Sequence, residues 1–209
     1  MEYRLAHEVD ENLLVQVARL HQQALAFTSF LTSFGEEFLV QLYKALIELR
    51  LGFFVLASEP PAVRGFVFGS LDSSGLMGVV ARRFYVFVPV MLPAFIRHPS
   101  LIVKAFEILF YSQKAAAVPV KSELVVIAVD SSERSRGIGA KLVELLDEEF
   151  RNKGVARYKV TVHGHMARAN NFYRKTGFSF EGAFKLAGLD WNIYTKGTVQ
   201  KCVAKLTRT

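Results

Sequence analysis

The run Leu124-Val125-Val126-Ile127-Ala128-Val129, continued by Asp130-Ser131-Ser132-Glu133-Arg134-Ser135-Arg136-Gly137-Ile138-Gly139, decides how this chain is read. The uninterrupted apolar run predicts a strand buried on both faces. A polar loop follows and opens a helix from about Gly137 to Lys153. Ile138, Leu142, Leu145, Leu146 and Phe150 form its inner stripe, and Gly154 its stop. Gly137 and Gly139 let a backbone approach a ligand without hindrance from a Cβ. The free N–H groups at the helix start, with the helix dipole, favour an anion there. Arg134 and Arg136 add positive charge. Together these residues describe a phosphate cradle. It is not a P-loop, because no Gly-Lys-Ser/Thr follows, and it is not the six-residue dinucleotide fingerprint. The plain alternative is a strand-to-helix turn with solvated arginines.

Outward from this stretch the elements alternate. Tyr158 to Val162 reads as a strand and Met166 to Thr176 as a helix stopped by Gly177. Phe178 to Leu186 and Asp190 to Lys196 read as two final strands. On the N-terminal side, Met1 to Ala6 is a short strand. Asp10 to Ala26 is a helix capped by Asp10, with Leu13, Leu14, Val17, Leu20 and Ala24 at helical spacing. Thr28 to Phe34 is a loop or short turn. Glu36 to Leu49 is a second helix, ended by Gly52. Phe53 to Ser58 and Arg64 to Leu71 are strands joined by a turn at Glu59-Pro60-Pro61. The order is β-α-α-β-β-insertion-β-α-β-α-β-β. It predicts one mixed α/β domain over residues 1–209 with a single extended sheet.

The segment from Asp72 to Lys121, between the third and fourth strands, is unlike the rest. It is dense in apolar residues, and Ser100 to Gln113 has helical spacing. It carries six basic residues (Arg82, Arg83, Arg97, Lys104, Lys114, Lys121) and, after Asp72, one acid, Glu107. It is expected to be a mainly helical insertion. The whole chain of 209 residues has a net charge of +7 and is 51% hydrophobic, which excludes wholesale disorder. Mean hydropathy is high, at +0.24. The longest uncharged apolar run, Phe84 to Ile96, is 13 residues, carries Pro89 and Pro93, and falls short of the roughly 20 a membrane span needs. One cysteine, Cys202, excludes an internal disulfide framework and a Cys-based zinc site, and no metal is called for. The polar N-terminus does not read as a signal peptide. A cytoplasmic protein is expected, with contact at the inner membrane surface left open.

Arg134-x-x-Gly137-x-Gly139 after an apolar strand resembles the acyl-CoA signature of the GNAT acetyltransferase superfamily. Ala169-Asn170-Asn171-Phe172-Tyr173-Arg174-Lys175-Thr176-Gly177-Phe178 looks like the second acyl-CoA motif of that family. The element order fits too, loosely over 1–71 and well over 122–196. The resemblance implies a GNAT-like central mixed sheet flanked by helices, with the helical insertion at 72–121 between the third and fourth strands. It implies acetyl-CoA as acyl donor. Backbone groups of Ile127, Ala128 and Val129 would pair with the pantetheine arm. N–H groups of Arg134, Ser135, Arg136, Gly137, Ile138, Gly139 and Ala140 would hold the pyrophosphate. Tyr173 would protonate the leaving thiolate. The chain departs from the family at Met166, where many members carry Asn; Asn170 is a candidate replacement on another helical face.

An amine acceptor must lose a proton before it attacks, so a base is sought. Glu123 opens the central strand, eleven positions before Arg134, a register resembling the catalytic glutamate of histone-acetylating members. His163 and His165 follow the next strand, near the strand ends where ligands of open sheets collect. A water chain is the third option. Members that acetylate protein N-termini often carry Glu where Thr161 stands, which disfavours ribosomal-protein-type activity. Ala26 to Leu31 and Asp190 to Tyr194 would shape the acceptor side. Three functions compete. The first is acetyl transfer to a small primary amine. The second is transfer of a longer acyl group from acyl-CoA or an acyl carrier protein. The third is a membrane-surface or partner-binding module with a degenerate site. The insertion is expected to be a lid or a homodimer contact. Without a recognisable reading motif, nucleic acid is not an expected partner.

Overall fold

A computed structural model of the chain describes residues 1–8, 10–26, 30–103, 118–186 and 188–198. Seven strands form one sheet: β1 (Glu2–Ala6), β2 (Gly52–Glu59), β3 (Ala62–Ser70), β4 (Glu123–Val129), β5 (Arg157–His163), β6 (Ser179–Leu186) and β7 (Leu189–Gly197). Their spatial order is β1-β2-β3-β4-β5-β7-β6, antiparallel throughout except for the central β4–β5 pair. The helices are α1 (Glu11–Leu25), α2 (Gly35–Glu48), α3 (Leu76–Arg82), α4 (Phe84–Arg97), α5 (Ile138–Asn152) and α6 (Ala167–Lys175). This is the expected mixed α/β fold, with helical elements between β3 and β4.

Two apolar layers sandwich the sheet. On one face Phe54, Leu56, Phe66 and Phe68 meet Leu14, Val17, Leu39, Tyr43 and Leu46 of α1 and α2. On the other, Phe53, Val55, Val67 and Tyr158 meet Leu142, Leu146 and Phe150 of α5. The period-2 alternation of β2 sends Phe53 one way and Phe54 the other. The α5 helix sits close because β3 carries Gly69. A Cβ there would lie 2.6 Å from Leu146 Cδ1 and 3.0 Å from Phe150 Cζ.

Local signals act as the residues require. Asp10 caps α1, its carboxylate accepting from Leu13 N–H at 2.7 Å. The stop of α2 differs from expectation. The helix ends at Glu48 with Leu49 as its cap, and Arg50 takes the left-handed turn at φ +54°. Gly52 instead begins β2, pairing with Ser70, because a Cβ there would lie 2.3 Å from Gly69 O. The turn expected before α2 is a 3-10 helix over Phe30–Phe34; Phe27, Thr28 and Ser29 of the acceptor-side loop lie outside the described residues.

The segment between β3 and β4 leaves and rejoins the sheet through a narrow neck. Ser73 N–H donates to Lys121 O at 2.9 Å, and Ser122 Oγ donates to Leu71 O at 2.9 Å. Val79, Phe87 and Leu101 are buried in the α1–α2 layer. The Phe87 ring meets Phe38, and Phe95 meets Phe34 at 5.4 Å. Residues 100–103 are helical; the remainder of the helix expected over Ser100 to Gln113, with Lys104, Glu107 and Lys114, lies outside the described residues. Among the described residues no helix is long and apolar enough to cross a membrane.

Candidate active site

The site begins with a parting of two parallel strands. β4 and β5 pair at Glu123–Lys159, reinforced by Lys159 N–H donating to Ser122 O at 2.9 Å, and no register pair follows among the described residues. A bulge is the physical cause on the β4 side. Phe68 faces Val126 and Gly69 faces Leu124, so Val125 is an extra residue on β4. Bulges bend the strand that carries them. Past the bulge β4 remains paired with β3 through Val126, Ile127, Ala128 and Val129. Its other edge has no strand pairing beyond Glu123 among the described residues. The strand expected to be buried on both faces is therefore only half-buried from Val125 to Ile127 and at Val129, with Ala128 buried.

The cradle stands at the open end. Asp130 accepts from Ser132 N–H (3.0 Å) and Oγ (2.8 Å) and from Arg64 at 3.3 Å. The Ser132 bonds, with help from Arg64, hold its carboxyl below the usual carboxylate range. Arg134 Nε donates to Val129 O at 3.3 Å, and Arg136 pairs with Glu133 at 3.1 Å. Ser135 (φ +68°) and Gly137 (φ +80°) both take the left-handed conformation. This turns the chain into α5, whose first backbone bond inside the helix is Lys141 N–H to Gly137 O. The N–H groups of Ile138, Gly139 and Ala140 precede it at the helix head. A Cβ on Gly137 would meet nothing within 4 Å, so the space before the helix is open. Gly139 has a different reason. A Cβ there would lie 3.3 Å from Phe172 Cε2, so its lack of side chain lets α6 close on α5. Arg168 of α6 also donates to Ser135 Oγ at 3.4 Å. The two sequence motifs thus meet in space.

Tyr173 follows Phe172 on α6. It is buried among Phe178, Tyr194 and Phe172, on the α5 side of the sheet. Burial pushes its hydroxyl well above the ordinary tyrosine range, so it keeps its proton. Asn170 is buried one turn earlier. Its Nδ2 donates to the carbonyls of His163 (3.0 Å), Gly164 (3.3 Å) and Met166 (2.8 Å). Its Oδ1 accepts from Asn192 (2.7 Å) and Tyr194 (2.9 Å). The amide thus ties the β5–α6 turn to β7.

Glu123 lies where β4 and β5 still pair and is buried. Thr161 Oγ1 donates to its Oε1 at 3.3 Å, and Lys159 Nζ lies 4.0 Å from Oε2. His163 ends β5, four residues after Lys159, which is about 13 Å further along the strand. Lys159, Thr161 and His163 share one strand parity, opposite to Tyr158, Val160 and Val162 on the α5 face. Glu123 and His163 therefore lie across the sheet from Tyr173, at different depths. His163 is buried against Trp191, ring centroids 3.8 Å apart, and Trp191 stacks on Phe184. Asp190 lies 3.8 Å from Lys185 on the exposed hairpin. Sequence reasoning missed Lys159 beside Glu123, and it missed the Asn170–Asn192–Tyr194 knot. Neither has a local signal, because each joins elements far apart in the chain.

Residues 108–178 match the sequence model of the Acetyltransferase (GNAT) family. No curated protein matches the chain. Solved structures do. A GNAT-family chain from Desulfovibrio desulfuricans superposes with TM-score 0.62 at 18% identity, covering 95% of this chain and 99% of that one. A PaiA N-acetyltransferase from Thermoplasma acidophilum, in complex with coenzyme A, gives 0.59 at 13%, covering 94% and 99%. The ribosomal-protein-S18-alanine N-acetyltransferase of Escherichia coli gives 0.57 at 15%, covering 95% and 96%. At these identities the likeness is one of fold. Residues 108–178, about a third of the chain, thus resemble the GNAT family in sequence, and the seven-stranded mixed sheet with its flanking helices is a GNAT-like fold.

Proposed function

We propose that the chain is an acetyl-CoA-dependent N-acetyltransferase acting on a primary amine of a small molecule, by direct attack in a ternary complex. The observation that carries this reading is the parting of β4 from β5 beyond Glu123–Lys159, with a helix N-terminus at its open end. An extended amide chain pairs with a free strand edge, and Ile127, Ala128 and Val129 supply that edge to the pantetheine arm. The pyrophosphate takes the backbone N–H groups from Arg134 to Ala140, with Arg134, Arg136 and Arg168 adding charge. Asn170 serves as a positioning residue for the β5–α6 turn, since its amide is engaged within the protein.

The chemistry divides across the sheet. The amine nitrogen attacks the thioester carbonyl, a base on the α1–α2 side takes its proton, and the C–S bond breaks. Tyr173 then gives its proton to the departing sulfur from the α5 side. Glu123 is the base of first choice, with His163 the second; His163 stands at the strand end beside Trp191 and the β6–β7 hairpin. The test is to incubate the protein with acetyl-CoA and a panel of amino sugars and amino-acid derivatives. Mass spectrometry then reads acetylated product against released free thiol. One acetyl group transferred per thiol released is expected for at least one amine. Failure to bind acetyl-CoA at all in calorimetry overturns the reading.

A further inference from the structure

Helix α4 has no polar face: from Phe84 to Ile96 it is Phe-Tyr-Val-Phe-Val-Pro-Val-Met-Leu-Pro-Ala-Phe-Ile. A helix apolar all round is ordinarily enclosed on every side. Here only half is. Phe87 is fully buried, and Val90, Met91, Ala94 and Phe95 pack against the α1–α2 layer. The other half faces out. Phe84 (63% exposed), Tyr85 (66%), Val88 (52%), Leu92 (50%) and Ile96 (71%) follow one another at helical spacing, and Pro89 and Pro93 share their side. Ile102 and Val103, a few residues past the helix end, are exposed too. An exposed apolar stripe of this kind along one helix marks a docking face.

Its rim identifies the occupant. Arg82 and Arg97 bracket α4, both exposed and in no ion pair among the described residues. Arg83 is held by Glu48 at 2.6 Å. No acid occurs in the sequence from Ser73 to Phe106. An apolar face with cationic ends and no anion suits a partner that is apolar below and anionic above. A second copy of this chain is a poorer partner, because an isologous pairing would bring the arginines of one face against those of the other. We propose that the outward face of α4 docks on an anionic membrane surface. Phe84, Tyr85, Leu92 and Ile96 enter the headgroup–acyl boundary while Arg82 and Arg97 meet lipid phosphates. The contact is peripheral, since α4 is too short to span.

Vesicle co-sedimentation of the full chain tests this, with phosphatidylcholine vesicles compared with vesicles containing a quarter phosphatidylglycerol. The wild-type chain is expected to sediment with the anionic vesicles. Leu92→Glu/Ile96→Glu should reduce that partition by at least about tenfold, since it removes two inserted side chains. Arg82→Gln/Arg97→Gln should weaken binding by about fivefold per arginine on anionic vesicles, and hardly at all on neutral ones. Both variants replace exposed residues, and unchanged melting temperatures establish that they fold. The proposal is overturned if the wild-type chain stays in the supernatant with both vesicle types, or if Leu92→Glu/Ile96→Glu binds as wild type. It is equally overturned if light scattering finds a wild-type dimer that this double variant dissociates, since a second copy would then cover the face.

Discussion

Gly137 holds φ +80° at the head of α5 and faces open space, so both its conformation and its missing side chain bear on the cradle. Gly137→Val should strain the left-handed turn and put a branched side chain where the pyrophosphate is proposed to sit. A left-handed β-branched residue costs roughly 1–3 kcal/mol. Acetyl-CoA affinity is expected to fall at least about tenfold by calorimetry. Wild-type affinity in that variant would remove the cradle from the donor site. Tyr173 acts later in the same reading. Its hydroxyl is kept protonated by burial, so Tyr173→Phe deletes a proton and little packing. Turnover should fall by about 10²- to 10⁴-fold, the usual range for a general acid, with acetyl-CoA affinity nearly unchanged. An unchanged rate with chemistry rate-limiting would assign the proton to water.

At the scale of elements, two contacts separate scaffold from machinery. Asn170 joins the β5–α6 turn to Asn192 and Tyr194 of β7. Asn170→Ala would leave buried partners without their acceptor, at about 1–3 kcal/mol each. The expected result is a large drop in melting temperature, with a smaller loss of acetyl-CoA affinity in the protein that remains folded. The reverse order would make Asn170 a ligand contact. Phe87 anchors α4 to Phe38 of α2 and is fully buried. Phe87→Ala should cost about 3–5 kcal/mol in denaturant unfolding, the usual cost of a cavity left by a phenylalanine. The segment between β3 and β4 is thus part of the core on one side. Replacing all of it by a short hairpin would expose α2 as well as remove α4.

For the whole molecule, pH enters through His21. Its ring is buried in the α1–α2 layer with Nδ1 2.7 Å from Tyr43 Oη, and burial lowers its pKa to about 4. The unfolded chain binds a proton near pH 6.5, which the folded chain refuses until about pH 4. This stability is therefore complete above pH 6.5 and is lost as pH falls towards 4. The loss is about 3 kcal/mol once pH has fallen below 4. His21→Leu should flatten that part of the profile, read as melting temperature between pH 7 and 4.5. Carboxylates such as Asp130, whose pKa is lowered, act at lower pH and leave this window clear. An unaltered slope in His21→Leu would assign the acid sensitivity to another histidine.

What the sequence determined by itself was local: the apolar run of β4, the Asp10 cap, the glycine-headed α5 and the stripes of α1 and α2. Each depends on neighbours within a few residues, where periodicity and capping act. The two stretches that resemble acyl-CoA motifs were equally legible, because each lies on one strand–loop–helix or helix–turn unit. The tertiary structure alone decided the parting of β4 from β5, since a bulge at Val125 exists only relative to β3. It also gave Gly139 its reason, a helix contact with Phe172, and buried Glu123 beside Lys159 and Thr161. It moved the left-handed stop after α2 from Gly52 to Arg50, because Gly52 is needed against Gly69 of the next strand. It split α4 into a buried half and an outward half. These are long-range contacts, and their partners have no signature in the sequence around either residue.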